Sequence, residues 1–220
     1  MKTTYFLITY LLINLTVNAQ VYVMVNASEE DAKIYVDGKH LGTGSIRVKI
    51  PRETCVVVKV DKQGYLSMEQ TYCNKKGTSK PPKSQFFNLK RDDAIEASTK
   101  SDQANVDFTI TVNSKFTPKE AWKVLTQVVT DYFDAIEISD QETSYLRTAW
   151  TLKTYSQNTI RTRLIVKMGS ISPYSIKVKI VSEYSGEPET NPKSDEKFKE
   201  WDRILRKYQT LVDDLRTRLS

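Results

Sequence analysis

The sequence predicts an all-β N-terminal sandwich followed by an α+β C-terminal domain, ordered β-α-β-β-β-α, whose antiparallel sheet carries its helices on one face. Three observations lead there. From residue 21 to about 89, short apolar stretches alternate with turn residues, the texture of a small β-sandwich. From residue 105 onward the strand-like stretches lengthen and a capped amphipathic helix separates them. Between the two, residues 91–104 lack strong apolar periodicity and read as a linker. With 39% apolar and 27% charged residues among 220, the chain can fill two cores and is neither disordered nor an integral membrane protein.

Residues 1–19 read as a signal peptide. Lys2 opens "MKTTYFLITYLLINLTVNAQ", an apolar run from Tyr5 to Leu15 follows, and Val17, Asn18 and Ala19 supply a small-residue cleavage site after Ala19. The apolar run is short for a bilayer span, and Gln20 stands where a lipoprotein would need cysteine. A periplasmic or secreted destination follows, with no transmembrane segment in the mature chain.

Residues 20–90 form the expected first domain. Its strands are "VYVMV", "AKIYV", "IRVKI", "CVVVKV", "YLSMEQTY" and "FFNL". Asp37-Gly38 in "VDGK" marks a tight hairpin with positive φ, "LGTG" supplies a second reversal, and Gly64 in "DKQGY" a third. The stretch "NKKGTSKPPKS" holds a glycine and two prolines, so it cannot be a strand and reads as an exposed basic loop. In an oxidising compartment Cys55 and Cys73, each in a strand-like segment, form a structural bridge; no Cys-x-x-Cys spacing suggests a redox pair.

Residues 105–220 form the second domain. "VDFTITV" alternates as a half-buried strand should. In "TPKEAWKVLTQVVTDYFD", Thr117 caps, Pro118 takes the first helical position and Glu120 completes a capping box, with Ala121, Leu125, Val128 and Tyr132 on the apolar face. Three strands are expected in "SYLRTAWTLKTY", "IRTRLIVKMG" and "YSIKVKIVSEY", and a final helix over 195–219. On that helix Phe198, Trp201, Leu205, Tyr208, Val212, Leu215 and Leu219 follow a three-four spacing. The spacing fits a coiled-coil homodimer, whereas Ile204 and Leu211 widen the stripe for packing on the domain's own sheet.

The glycine-rich "DAKIYVDGKHLGTGSIRVKIP" is not a nucleotide site. Its glycines do not open a helix, no Gly-Lys-Ser/Thr ending follows, and Asp31 and Asp37 are too few for a calcium loop. His40 has no partners framing a metal site or a nucleophile and reads as a solvent-facing strand residue. The pairs Asp92 with Asp93 and Asp213 with Asp214 read as solvating charges. No catalytic, cofactor-binding or metal residue is assigned.

"AKIYVDGKHLGTGSIRVKIPRETCVVVKVDKQGY" resembles a PEGA domain, through Val36, Asp37, Gly38, Gly42, Gly64 and Tyr65. Thr43-Gly44-Ser45 departs from the Thr-Pro often found after the second turn of that family. The resemblance implies an extracytoplasmic β-sandwich of envelope proteins and carries no catalytic residue with it. More faintly, residues 105–220 resemble the helix-grip-like domains of the accessory lipoprotein of the β-barrel assembly machinery, without its lipid-bearing cysteine.

Without Lys2 the chain holds 32 basic and 27 acidic residues, and neither half is strongly basic, which argues against a nucleic-acid partner. Alternation nevertheless suggests that Arg147, Lys153, Arg161, Arg163, Lys167, Lys177 and Lys179 share the sheet face away from the helices. That face reads either as ordinary solvated surface or as a docking surface for an acidic envelope protein or another anionic envelope component. The expectation is a non-catalytic binding or scaffolding protein of the bacterial envelope. A glycan or peptidoglycan module using Tyr65 and Tyr72 is the alternative among binding proteins, and an envelope hydrolase is the competing class.

Overall fold

The computed structural model describes residues 20–220, so the expected signal peptide and its cleavage point lie outside the described residues. The described chain is mostly β and divides into two compact units, residues 20–62 with 67–89 and residues 63–66 with 90–220.

The first unit holds β1 (Val21–Ala27), β2 (Lys33–Val36), β3 (Lys39–Thr43), β4 (Ser45–Ile50), β5 (Cys55–Asp61), β6 (Met68–Cys73) and β7 (Ser84–Phe87). They form two sheets, ordered β4-β1-β7 and β3-β2-β5-β6. Alternation decides what each strand buries: Val23 and Val25 of β1 and Val56, Val58 and Val60 of β5 are inside, while Met24 and Lys59 point outward. β3 is the strand that the residues did not announce, because "KHLGT" is polar and exposed; the hairpin turn brings it onto β2. Both turn residues have positive φ, 48° at Asp37 and 79° at Gly38, and the Asp37 carboxylate accepts from the Val57 N–H at 2.8 Å. Gly44 has φ 63°, and a Cβ there would sit 2.5 Å from the Glu30 carbonyl oxygen, so only glycine fits. Cys55 faces Cys73 in the β5/β6 register and the two form a disulfide.

The second unit contains α1 (Asp93–Glu96), β8 (Ser98–Lys100), β9 (Asp107–Thr111), α2 (Pro118–Tyr132), β10 (Ile136–Asp140), β11 (Tyr145–Thr148), β12 (Thr151–Tyr155), β13 (Asn158–Ile171), β14 (Tyr174–Tyr184), β15 (Lys199–Glu200), β16 (Arg203–Leu205) and α3 (Leu211–Leu219). A seven-stranded sheet runs β10-β11-β13-β14-β15, with β12 also on β13 and β9 also on β14; β8 pairs with β16 as a separate ribbon. α2 begins with the expected capping box: the Thr117 hydroxyl accepts from the Glu120 N–H at 3.3 Å and the Glu120 carboxylate accepts from the Thr117 N–H at 2.9 Å. Leu125, Val128 and Val129 of α2 and Val212 and Leu215 of α3 join Leu164, Val166, Val178 and Ile180 in one core.

Three expectations change here. Residues 91–104 are not a bare linker: Asp92 caps α1 by accepting from the Ala94 and Ile95 N–H groups, Ala94 is buried, and β8 follows. "SYLRTAWTLKTY" is two strands broken at Ala149 and Trp150, and β10 precedes them. The largest correction is the final helix, which spans only Leu211–Leu219 and not 195–219. Upstream, the backbone has better partners than its own i−4 carbonyls: the Trp201 N–H donates to the Ser182 carbonyl, and β16 pairs with β8. All seven residues of the three-four stripe are buried within this chain, so the seam expected of a homodimer is occupied internally.

Candidate basic docking face

In an antiparallel pair, residues directly opposite share a face, and so do alternate residues along a strand. The register therefore places the expected cations without ambiguity. Arg147 of β11 faces Ile165, which faces Lys179 of β14, which faces Asp107 of β9. Lys167 faces Lys177, and Arg161 and Arg163 follow by alternation on β13. Arg147, Arg161, Arg163, Lys167, Lys177 and Lys179 thus lie on one face, opposite the Leu164 and Val166 side that α2 and α3 residues join in the core. Lys153 does not belong to the set, since it faces Ile160 and so projects from the other side.

Membership of the face does not mean availability. Arg161 has a side chain only 4% exposed and donates to Glu183 at 2.6 Å, Asp195 at 2.6 Å and the Pro192 carbonyl at 2.7 Å. Its guanidinium also lies 4.2 Å from the Trp150 ring centre and 4.0 Å from that of Phe198. Arg161 is a structural cation, and the expectation that it docks a partner is withdrawn on that ground.

Arg163 is different. Its guanidinium lies 4.0 Å from the Trp150 centroid, its Nε is buried without a hydrogen-bond partner, and no carboxylate pairs with it among the described residues. Burial lowers its pKa, with the neighbouring Arg147 and Arg161 charges adding to that effect; Glu183 and Glu137 oppose it. Arg147 itself is held by Glu137 at 3.1 Å. At the other end, Lys167 and Lys179 both lie 3.7 Å from Asp107, so one carboxylate serves two ammonium groups, and the exposed Lys177 makes no ion pair among the described residues. The strip from Arg147 to Lys177 is consequently under-neutralised.

Trp150, Asp107 and Glu137 set these states, and none of them stands out in the sequence as part of a charged face. Asp107 could have been found by alternation, as the outward neighbour of buried Ile110 and half-buried Phe108 would lie beside β14; Trp150 sits at a strand break and had no periodic signal. Elsewhere, His40 is exposed with its ring centre 5.4 Å from that of Tyr35. Asp93 accepts from the Ser156 N–H and hydroxyl, Asp214 from the Tyr132 hydroxyl, and Asp213 pairs with Arg216. Tyr72 is 5% exposed and packs inside, which removes it from the proposed glycan surface, and Tyr65 is half-buried with the Arg91 guanidinium 5.7 Å from its ring. No group of three or more His, Cys, Asp or Glu residues suited to a metal occurs among the described residues. No helix among them is long and apolar enough to cross a membrane. In comparisons with known proteins, no family model and no curated sequence matches the chain.

Proposed function

We propose that this chain is a non-catalytic protein of the bacterial cell envelope that binds an anionic envelope partner through the second unit's basic face. The observation that carries the reading is the shortage of counter-charge: Lys167 and Lys179 share Asp107, and Lys177 and Arg163 have no carboxylate partner among the described residues. A solvated face usually intersperses the two signs, whereas a concentration of one sign raises the local density of opposite charge. In the same reading the first unit is a PEGA-like sandwich in which the two sheets bury their valine-rich faces against each other. The second unit is an α+β domain of the helix-grip kind with α2 and the short α3 on one side. Export is supported by the pattern of residues 1–19 and by the Cys55–Cys73 bridge, a bond at home in oxidising compartments.

Crosslinking in intact envelopes, followed by mass spectrometry, tests this directly. The expected result is a mature chain beginning at Gln20, an intact bridge, and crosslinks from positions flanking Lys177 to an acidic protein or an anionic polymer. Turnover of a wall fragment by the pure protein, with no crosslinked partner, would overturn it.

A further inference from the structure

A second surface of the same unit, apart from the basic face, has the features of a strand-accepting groove. β12 pairs with β13 along one edge only. Its other edge borders an open groove of about 310 Å³, lined by Leu152, Lys153, Tyr155, Leu205, Arg206 and Lys207. The register turns Lys153 and Tyr155 to the Ile160 side of the sheet, and the backbone after β16 is fixed there because the Arg206 N–H donates to the Ala97 carbonyl. Lys153, Arg206 and Lys207 make no ion pair among the described residues; the Arg206 Nε donates to the Glu96 carbonyl, and Lys207 lies 4.5 Å from the Tyr208 ring centre. No carboxylate lines the groove, and the nearby Asp93 is engaged by Ser156.

We infer that this groove takes an extended acidic peptide, which pairs as an added strand with the free edge of β12 and places its carboxylates against Lys153, Arg206 and Lys207. An unpaired strand edge offers a row of N–H and C=O groups to any extended chain, and charge then selects the chain. A second copy of this protein is disfavoured, because edge-to-edge pairing would set Lys153 against Lys153. An acidic strand meets the opposite situation: the lysine that guards the edge against self-association attracts it. Five residues of β12 offer about 17 Å of edge, enough for a short linear segment.

The test is fluorescence anisotropy with the full mature chain and a labelled peptide of alternating glutamate and valine. The same peptide, N-methylated along one edge, keeps its charge but cannot form the ladder. Saturable binding is expected, weakened at least tenfold by N-methylation and at least tenfold by Lys153→Glu with Lys207→Glu, and weakened less by Lys167→Glu with Lys177→Glu, whose face attracts the peptide's charge without pairing its backbone. Circular dichroism checks that each variant is folded, and the methylated peptide needs no variant. Absence of saturable binding overturns the inference, as does equal binding of the methylated peptide or of the groove variant. Displacement by inorganic polyphosphate at equal charge would mark a general anion site and also overturn it, and loss only in the Lys167→Glu, Lys177→Glu protein would move the peptide to the basic face.

Discussion

Arg161 and Arg163 stand two residues apart on β13 and touch the same indole, yet their surroundings give them opposite roles. Arg161 is buried between two rings and two carboxylates, so truncating it leaves Glu183 without its partner in a largely dry site. Arg161→Ala is expected to cost about 3 kcal/mol in denaturant unfolding. Arg163→Ala removes a half-buried guanidinium with an unpaired Nε and is expected to cost under about 1 kcal/mol. Equal losses would show that the contact with Trp150, which both share, dominates over the ion pairs. Between them Thr162 is fully buried and its hydroxyl has no hydrogen-bond partner among the described residues. Thr162→Val should leave the melting temperature unchanged or raise it, because a methyl there has no polar atom to desolvate; a clear fall would reveal a partner for that hydroxyl. Alternation alone made 161 and 163 look equivalent in sequence. What separates them, Phe198 and Asp195, comes from more than thirty residues away and could not be read from spacing.

At the scale of elements, local signals were reliable where the chain closes its own hydrogen bonds. The α2 cap is one case. The backbone N–H and the hydroxyl of Thr117 hold the Glu120 carboxyl below its ordinary pKa. A carboxylate whose pKa is lowered on folding contributes stability above its unfolded pKa and loses it as pH falls through the folded one. Thr117→Ala should therefore cost about 1 kcal/mol at neutral pH, and the gap between mutant and parent should narrow on acidification below the usual glutamate range. A gap that stays constant down to acid pH would mean that Glu120 plays no part in the cap. The bridge between β5 and β6 is a second case: replacing Cys55 and Cys73 by serine should destabilise the first unit by about 3 kcal/mol on the chain-entropy model, measured by thermal unfolding, and a change under about 1 kcal/mol would contradict that. Residues 195–210 show where local signals fail. Their three-four spacing has the period of a helix, but β14, β8 and the Asn105 side chain, which donates to the Ser182 and Trp201 carbonyls, compete for that backbone and win. Long-range pairing of this sort has no local signature.

At the scale of the whole molecule, the two-part division and the sharing of one face by most of the cations were legible, because both follow from period and composition. Which cations are free was not, since it depends on where Asp107, Glu137 and Trp150 land after folding. The proposed attachment of the second unit's under-neutralised lysines to an anionic partner is electrostatic. Such an attachment weakens with ionic strength as the Debye length contracts from about 10 Å at 0.1 M salt to about 3 Å at 1 M. The most direct measurement is the fraction of protein bound to isolated envelopes across a salt titration, for the parent and for Lys167→Glu with Lys177→Glu. The parent should bind at low salt and dissociate as salt rises, while the variant binds weakly throughout with a flattened dependence; identical curves for the two would contradict the claim.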